Sequence, residues 1–337
     1  MAARVNDQDE TGRLIELGDL DELTRHVDRL CQSADWPGLV DLRDRCRAAL
    51  ARGKQLWPIA TNAEYRLALQ APGQWAAGVL EVRAGRFAPG PLAEVASSSH
   101  RWAELSPYVP QTPVASLAAH ERVVRGEDLR ADPVVAGLPP VLELPLALQP
   151  WEPGYALAEY HPDHVDLPRP PIRARAQPVA ATRTAQPSPR NDPDATAALT
   201  DLAGAWTTES NGRAEAVAVK GRAPEAVRAL GAPAPRLVEL SAADAMAVMA
   251  WTAASGGAHG RRRGAAAGRF AVWWALAALG GLVEEWPIEP GELGDIAADL
   301  RWYEWDAGEP ETGWVLRLAV EDPAESLAWA VAAVDSA

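Results

Sequence analysis

Along residues 1–130, apolar positions recur at steps of three and four residues, which is the spacing of one face of a helix. The face of the first such segment carries Leu20, Leu23, Val27 and Leu30. The next begins after Asp35, a side chain suited to cap a helix, and has Pro37 in its first turn. Later segments with this spacing carry Ile59, Trp75, Leu92 and Val114. The pattern predicts a helical domain over 1–130, either a compact bundle or an irregular α-solenoid.

Prolines become dense after this domain, and the pattern of apolar residues changes with them. Residues 131–167 keep large apolar side chains such as Leu144 and Trp151, so we expect this proline-rich segment to pack on a domain. Residues 168–193 have few bulky apolar side chains and carry several arginines, including Arg173, Arg175 and Arg183. So few apolar side chains cannot offset the conformational entropy that the segment would lose on becoming ordered. The composition therefore predicts a flexible linker.

Residues 194–337 contain segments with helical spacing of apolar residues and segments with strand character. This mixture predicts an α+β domain. Ala216–Lys220 and Arg236–Leu240 have strand character and flank a short helical stretch, which indicates a parallel pair of strands. Ser241 can cap a helix that follows, and an apolar helix is predicted over 270–282.

The carboxyl-terminal end predicts a β-hairpin and a last helix. Leu300–Trp305 and Trp314–Val320 flank turn-forming residues, and the second segment alternates between apolar and polar positions. Asp322 and Pro323 are suited to open a helix that would run through Val331. The predicted fold class is therefore mainly α, with a helical front part and a smaller α+β part that contains a hairpin.

Charge and composition restrict the expected partners and location. The formal net charge of -14 repels phosphate backbones, so nucleic acid is not an expected partner. The amino terminus lacks the pattern of a signal peptide, and the most apolar stretch, 270–283, is shorter than the ~20 residues that a membrane-spanning helix needs. Two cysteines do not form a disulfide framework. We therefore expect a soluble, cytoplasmic protein without a membrane span.

A glycine- and arginine-rich segment over 256–264 is the most specific motif in the sequence. A loop of this kind before a helix can offer backbone N–H groups to an anion, and adjacent arginines add positive potential. The candidate anion-binding residues are Gly257, His259, Gly260, Arg261, Arg262 and Arg263. The other interpretation is a solvated loop without a ligand.

Tryptophan is unusually frequent, with 14 tryptophans against two phenylalanines and five tyrosines. Trp302, Trp305 and Trp314 lie in the predicted hairpin and are candidates for a protein-binding surface, where tryptophan is favoured. Core packing is the competing interpretation, because aromatic residues at strand spacing usually fill interiors.

Two groups of polar residues are of types that can bind a metal ion. Asp306, Glu309 and Glu311 cluster in the predicted hairpin turn, and acidic turn residues of this kind are usually solvated. His161 and His164 form the one close histidine pair, but no helix is predicted there to hold both rings at the spacing of metal ligands. We therefore predict a plain loop at the histidines, no metal site and no cofactor.

The common signatures of acyl transfer and zinc hydrolysis are missing from the sequence, which favours a protein that is not an enzyme. The leading hypothesis is an interaction or scaffold protein with a protein partner. One alternative is a protein or enzyme that binds a small anion, nucleotide or phosphometabolite through the loop 256–264. Another is an immunity-type adaptor, whose acidic surface would attract a basic partner.

Overall fold

The computed structural model describes residues 2–170, 188–232, 236–306, 308 and 312–336, with side chains described from residue 10 onward. The chain divides into two compact units. The first contains Met1–Val141 and Ala158–Asp166, and the second contains Leu142–Leu157 and Leu167–Ala337. The fold is mixed α and β, as the sequence predicts, with helices in the front part and an antiparallel sheet in the back part.

The first unit consists of helices and one small hairpin. The helices are α1 Ala2–Leu17, α2 Leu20–Gln32, α3 Trp36–Ala49, α4 Trp57–Gln70, α5 Gly73–Ala76, α6 Leu92–Ser99, α7 Trp102–Leu105, α8 Pro113–Val124 and α9 Pro133–Ala136. Short 3-10 turns cover Leu50–Arg52 and Ala77–Val79. Strands β1, Glu159–Tyr160, and β2, Val165–Asp166, pair with each other.

Local signals explain where several of these helices begin. The Asp35 carboxylate accepts a hydrogen bond from Gly38 N–H and caps α3 as expected, and the Thr112 hydroxyl caps α8 by accepting one from Ala115 N–H. The apolar spacing from Leu92 to Leu105 fits one helix, but the structure has two there, α6 and α7. His100 ends α6, and its ring bonds to the carbonyls of Ala96 and Ala71, which breaks the helix before Trp102.

The second unit is built on a six-stranded antiparallel sheet of order β3-β4-β8-β7-β6-β5. The strands are β3 Ser188–Arg190, β4 Arg213–Lys220, β5 Arg236–Leu240, β6 Arg301–Asp306, β7 Trp314–Asp322 and β8 Leu327–Asp335. The helices are α10 Pro193–Asp201, α11 Gly204–Glu209, α12 Ala223–Ala229, α13 Ala242–Ala254, α14 Ala265–Leu279 and α15 Pro290–Asp299, with a 3-10 turn at Val283–Glu285.

Two sequence predictions about this sheet are wrong. The last segment, β8, is a strand and not a helix, because it pairs along its length with β4 on one side and β7 on the other. Strands β4 and β5 are not a parallel pair, because β8, β7 and β6 lie between them. The predicted hairpin of β6 and β7 is confirmed.

The predicted flexible linker and the domain boundaries stay predictions. Most of the linker, including Arg173, Arg175 and Arg183, lies outside the described residues. Its last residues, 188–193, form β3 and the start of α10. No helix in the described part of the chain is both long and apolar enough to cross a bilayer.

A buried ion pair attaches segment 142–157 to α14. Arg269 donates to both carboxylate oxygens of Glu152 at 2.7 and 2.8 Å, and both side chains are 0% exposed. The same guanidinium donates to the carbonyls of Pro145 and Ala147. The hydroxyl of Tyr155 also donates to Glu152. This proline-rich segment is therefore held by polar contacts as well as by its apolar side chains.

Candidate functional site

The glycine- and arginine-rich loop connects α13 to α14, and its glycines are needed for its shape. A Cβ atom on Gly256 would lie 2.1 Å from the carbonyl oxygen of Gly260. Gly257 has a φ of +68°, and a Cβ atom there would meet the carboxylate of Asp335. The glycines therefore permit a tight turn that lies close to other backbone and side-chain atoms.

Groups within the chain occupy several N–H donors of this loop. Ala258 N–H donates to the buried Asp335 carboxylate at 2.6 Å, and His259 N–H donates to the Ser210 hydroxyl. Glu209 accepts from Arg261 N–H at 3.0 Å and from the Arg263 side chain at 3.1 Å. These contacts give the loop a structural role. Anion binding by Gly257, His259, Gly260, Arg261, Arg262 and Arg263 stays a prediction.

The three candidate tryptophans of the hairpin do not form one exposed surface. Trp302 is buried on one face of the sheet and Trp305 on the other. Trp314 is half-buried and stacks on Trp251 with ring centroids 4.9 Å apart. Since these positions pack in the interior or against it, we base no binding proposal on them.

A hairpin, and not a plain loop, frames His161 and His164. Strands β1 and β2 pair Glu159 with Asp166 and Tyr160 with Val165, and His161 N–H donates to the carbonyl of His164 at 2.9 Å. Side chains alternate between the two faces of a hairpin. One face therefore carries Glu159, His161, His164 and Asp166, while Tyr160 on the opposite face is buried.

Three of these polar side chains, those of His161, His164 and Asp166, meet at short distances. Their nearest ligand atoms all lie within 4.8 Å of one another. The Nε2 atoms of His161 and His164 are 3.4 and 3.7 Å from Oδ2 of Asp166. The two imidazole rings are stacked, with centroids 4.3 Å apart. This is the arrangement of the described residues that comes nearest to a metal-ligand set.

A neighbouring carboxylate orients one of these rings. Nδ1 of His164 lies 2.9 Å from Oδ1 of Asp163, and that hydrogen bond lowers the pKa of Asp163. An ionised carboxylate only accepts hydrogen bonds, so Nδ1 of His164 carries the proton. In the neutral form of the ring, Nε2 is then the nitrogen with the lone pair, and it faces Asp166.

Buried tyrosines fix the hairpin to the rest of the first unit. The Tyr160 hydroxyl donates to the fully buried carboxylate of Glu94 at 2.6 Å. The Tyr65 hydroxyl donates to the carbonyl oxygen of His161. Burial raises the pKa of Tyr65 to about 12, so this donor keeps its proton near neutral pH. These two hydrogen bonds fix the backbone that carries the two histidines.

The acidic turn of the second unit falls mostly outside the described residues, which include neither Glu309 nor Glu311. The Asp306 carboxylate accepts a hydrogen bond from Gly308 N–H and forms an ion pair with Arg236, and both contacts lower the pKa of Asp306. Asp306 therefore has a local structural role.

An acidic cavity of about 440 Å³ lies in the second unit. The described carboxylates that line it are Asp192, Asp194, Asp299, Asp322 and Glu325. Its apolar lining includes Leu279, Ile296, Leu300, Leu327 and Trp329. No lysine, arginine or histidine is among the described lining residues.

The carboxyl ends of two helices add to the negative potential of this cavity, whereas the amino end of α10, which Asp192 caps, adds partial positive charge. Leu279 and Gly280 line it at the carboxyl end of α14, and Asp299 lines it at the carboxyl end of α15. The carboxyl end of a helix carries partial negative charge. One carboxylate is fixed in place, since Asp192 caps α10 and accepts a hydrogen bond from the Trp329 indole at 2.9 Å. The cavity suits a cation with an apolar stem.

Sequence reasoning missed both arrangements. The alternation of Glu159, Tyr160 and His161, followed after a Pro-Asp turn by His164, Val165 and Asp166, was a hairpin signal. The cavity had no comparable signal, because its residues come from distant parts of the chain.

No curated protein and no solved structure matches the chain significantly. A family model matches nearly the whole length, over residues 21–337. The chain belongs to this family, which is described as a family of unknown function (DUF6183).

Proposed function

We propose that this chain is a non-enzymatic interaction protein whose second unit binds a basic segment of a protein partner. The observation that carries the proposal is the acidic cavity, which is lined by five described carboxylates and by apolar side chains. Arginine and lysine combine a cationic head with an apolar stem, so their side chains suit such a lining.

The charge of the whole chain supports the same kind of partner. A net charge of -14 attracts a basic protein over a distance and raises the rate of encounter. The immunity-type adaptor is a narrower form of this proposal, in which binding neutralises the basic partner.

Calorimetric titration of the full chain with a hexa-arginine peptide tests this proposal. We expect saturable binding that weakens as salt is added, because the contacts are ionic. In the triple variant Asp194→Asn, Asp299→Asn and Glu325→Gln, we expect the affinity to fall about tenfold, from the loss of three rim contacts of modest strength. These three side chains are not helix caps, so the variant keeps the hydrogen bonds of Asp192.

A control variant removes the same charge elsewhere in the unit. Asp201, Glu239 and Glu292 are exposed and lie outside the cavity lining. Changing them to Asn, Gln and Gln should leave the affinity within about threefold, since long-range effects are screened. Equal losses of affinity in the two variants would show that the cavity is not the binding site. A wild-type chain that does not bind the peptide at low salt would show the same.

We also propose a cytoplasmic location. Cys31 and Cys46 are both free thiols, which is the usual state of cysteines in the reducing cytoplasm. Cell fractionation would test this proposal, and recovery of the protein outside the cytoplasm would contradict it.

A further inference from the structure

We propose that His161, His164 and Asp166 of the first unit form a binding site for a Zn²⁺ ion, with one coordination position left open. The proposal is independent of the acidic cavity, because these ligands lie in the other unit.

The spacing of the Asp166 carboxylate from the two histidines is close to that of ligands on a tetrahedral zinc ion. Zinc bonds to histidine nitrogen and carboxylate oxygen are about 2.0–2.2 Å long, so two ligand atoms on one tetrahedral ion are about 3.3–3.5 Å apart. The observed distances from Asp166 Oδ2 are 3.4 Å to His161 Nε2 and 3.7 Å to His164 Nε2. Because the two imidazole rings are stacked, with only 9° between their planes, they must rotate before both Nε2 lone pairs point at one ion.

The ligand types distinguish zinc from the hard cations. Calcium and magnesium prefer shells of oxygen atoms, whereas two imidazoles with one carboxylate are typical of zinc and related transition metals. A shell of three protein ligands leaves a fourth position for water or for a group from a bound molecule. The exposed fractions of His161, His164 and Asp166 are 41%, 56% and 63%, so solvent reaches that position.

Asp163 acts as a positioning residue for this site. Its carboxylate accepts the Nδ1 proton of His164, which selects the tautomer with Nε2 available to the metal. Carboxylates in this outer position are a regular feature of zinc-binding histidines.

The hairpin is prearranged before any ion binds. Tyr160 is anchored on Glu94, and Tyr65 holds the carbonyl of His161. A Cβ atom on Gly90 would lie 2.0 Å from the Tyr160 hydroxyl, so Gly90 provides the space for this anchor. A fixed backbone lowers the entropy that the ligands lose when they close on an ion.

Titration of the chelator-treated full chain with Zn²⁺ tests the site. We expect one ion to bind at these ligands and Co²⁺ to give the visible absorption of a tetrahedral complex. His164→Gln and Asp166→Asn should each lower the Zn²⁺ affinity by about 100-fold or more, because each removes a ligand. Asp163→Asn should lower it by about 10- to 100-fold and keep the Co²⁺ spectrum tetrahedral.

Two matched variants serve as controls. Asp21→Asn removes an exposed carboxylate elsewhere in the first unit that is not among the three ligand residues. His259→Gln removes a histidine from the other unit. Both should keep the Zn²⁺ affinity within about threefold, as expected for changes outside the ligand set. The proposal is overturned if wild type takes up no Zn²⁺ at millimolar concentration, or if uptake is unchanged in His164→Gln and Asp166→Asn.

Discussion

Arg269→Met is expected to lower the free energy of unfolding of the second unit by about 3–5 kcal/mol, because it leaves the Glu152 carboxylate buried without its cation. The substitution also removes the donors to the carbonyls of Pro145 and Ala147. Since these contacts hold segment 142–157 against α14, the substitution should weaken the attachment of this segment to the helix.

The size of this loss should depend on pH. Burial alone would raise the pKa of Glu152, but the hydrogen bonds and charge of Arg269, together with hydrogen bonds from Tyr155 and Gln149, hold the pKa below its ordinary value of 4.5. A lowered carboxylate pKa contributes stability above 4.5 that is lost as the pH falls through the folded-state value. The difference between wild type and Arg269→Met should therefore be largest near neutral pH and shrink in acid.

Urea unfolding of the full chain, followed by tryptophan fluorescence, measures this effect. Arg236→Met is the control, because Arg236 and Asp306 form an exposed ion pair and its loss should cost less than about 1 kcal/mol. The double variant Arg269→Met with Glu152→Leu should lose less than the sum of the two single losses. If Arg269→Met costs no more than Arg236→Met, the buried pair does not hold the segment.

Trp206→Ala is expected to lower the free energy of unfolding of the second unit by about 3–5 kcal/mol, which is the range for removing a large buried aromatic side chain. Trp206 is 0% exposed and donates its indole N–H to Ser255 at 2.8 Å. The turn at Gly257 lies against its ring. Its removal leaves a cavity under the glycine- and arginine-rich loop.

The loop should then become accessible to proteolysis. We expect an arginine-specific protease to cut at Arg261, Arg262 or Arg263 faster in Trp206→Ala than in wild type. Trp206→Phe is the control, because it keeps most of the ring and should cost only about 1–2 kcal/mol for the lost hydrogen bond and volume. A loss below 1 kcal/mol in Trp206→Ala, or unchanged cleavage, would contradict the structural role of this loop.

Local signals in the sequence predicted local structure well. Asp35 and Ser241 cap the helices that they were expected to cap, because a side-chain cap needs only its own neighbours. The hairpin of β6 and β7 was also predictable, since the alternation in β7 reflects one buried face.

Predictions failed where distant parts of the chain decide the structure. The alanine-rich segment of β8 has good helix formers, but its two neighbouring strands supply backbone partners along its length. No local pattern could show that β8 separates β4 from β7. The acidic cavity was hidden for the same reason, because Asp192 and Asp322 meet only in the folded unit.

The most direct test of the proposed basic partner is the NMR signal of the Trp329 indole N–H. This group donates to Asp192, a carboxylate of the cavity lining, whereas the indole of Trp206 donates to Ser255 outside that lining. The proposal predicts that adding hexa-arginine shifts the Trp329 signal and leaves the Trp206 signal in place, with assignments from Trp329→Phe and Trp206→Phe. A peptide that binds without moving the Trp329 signal, or that moves both signals equally, would contradict it.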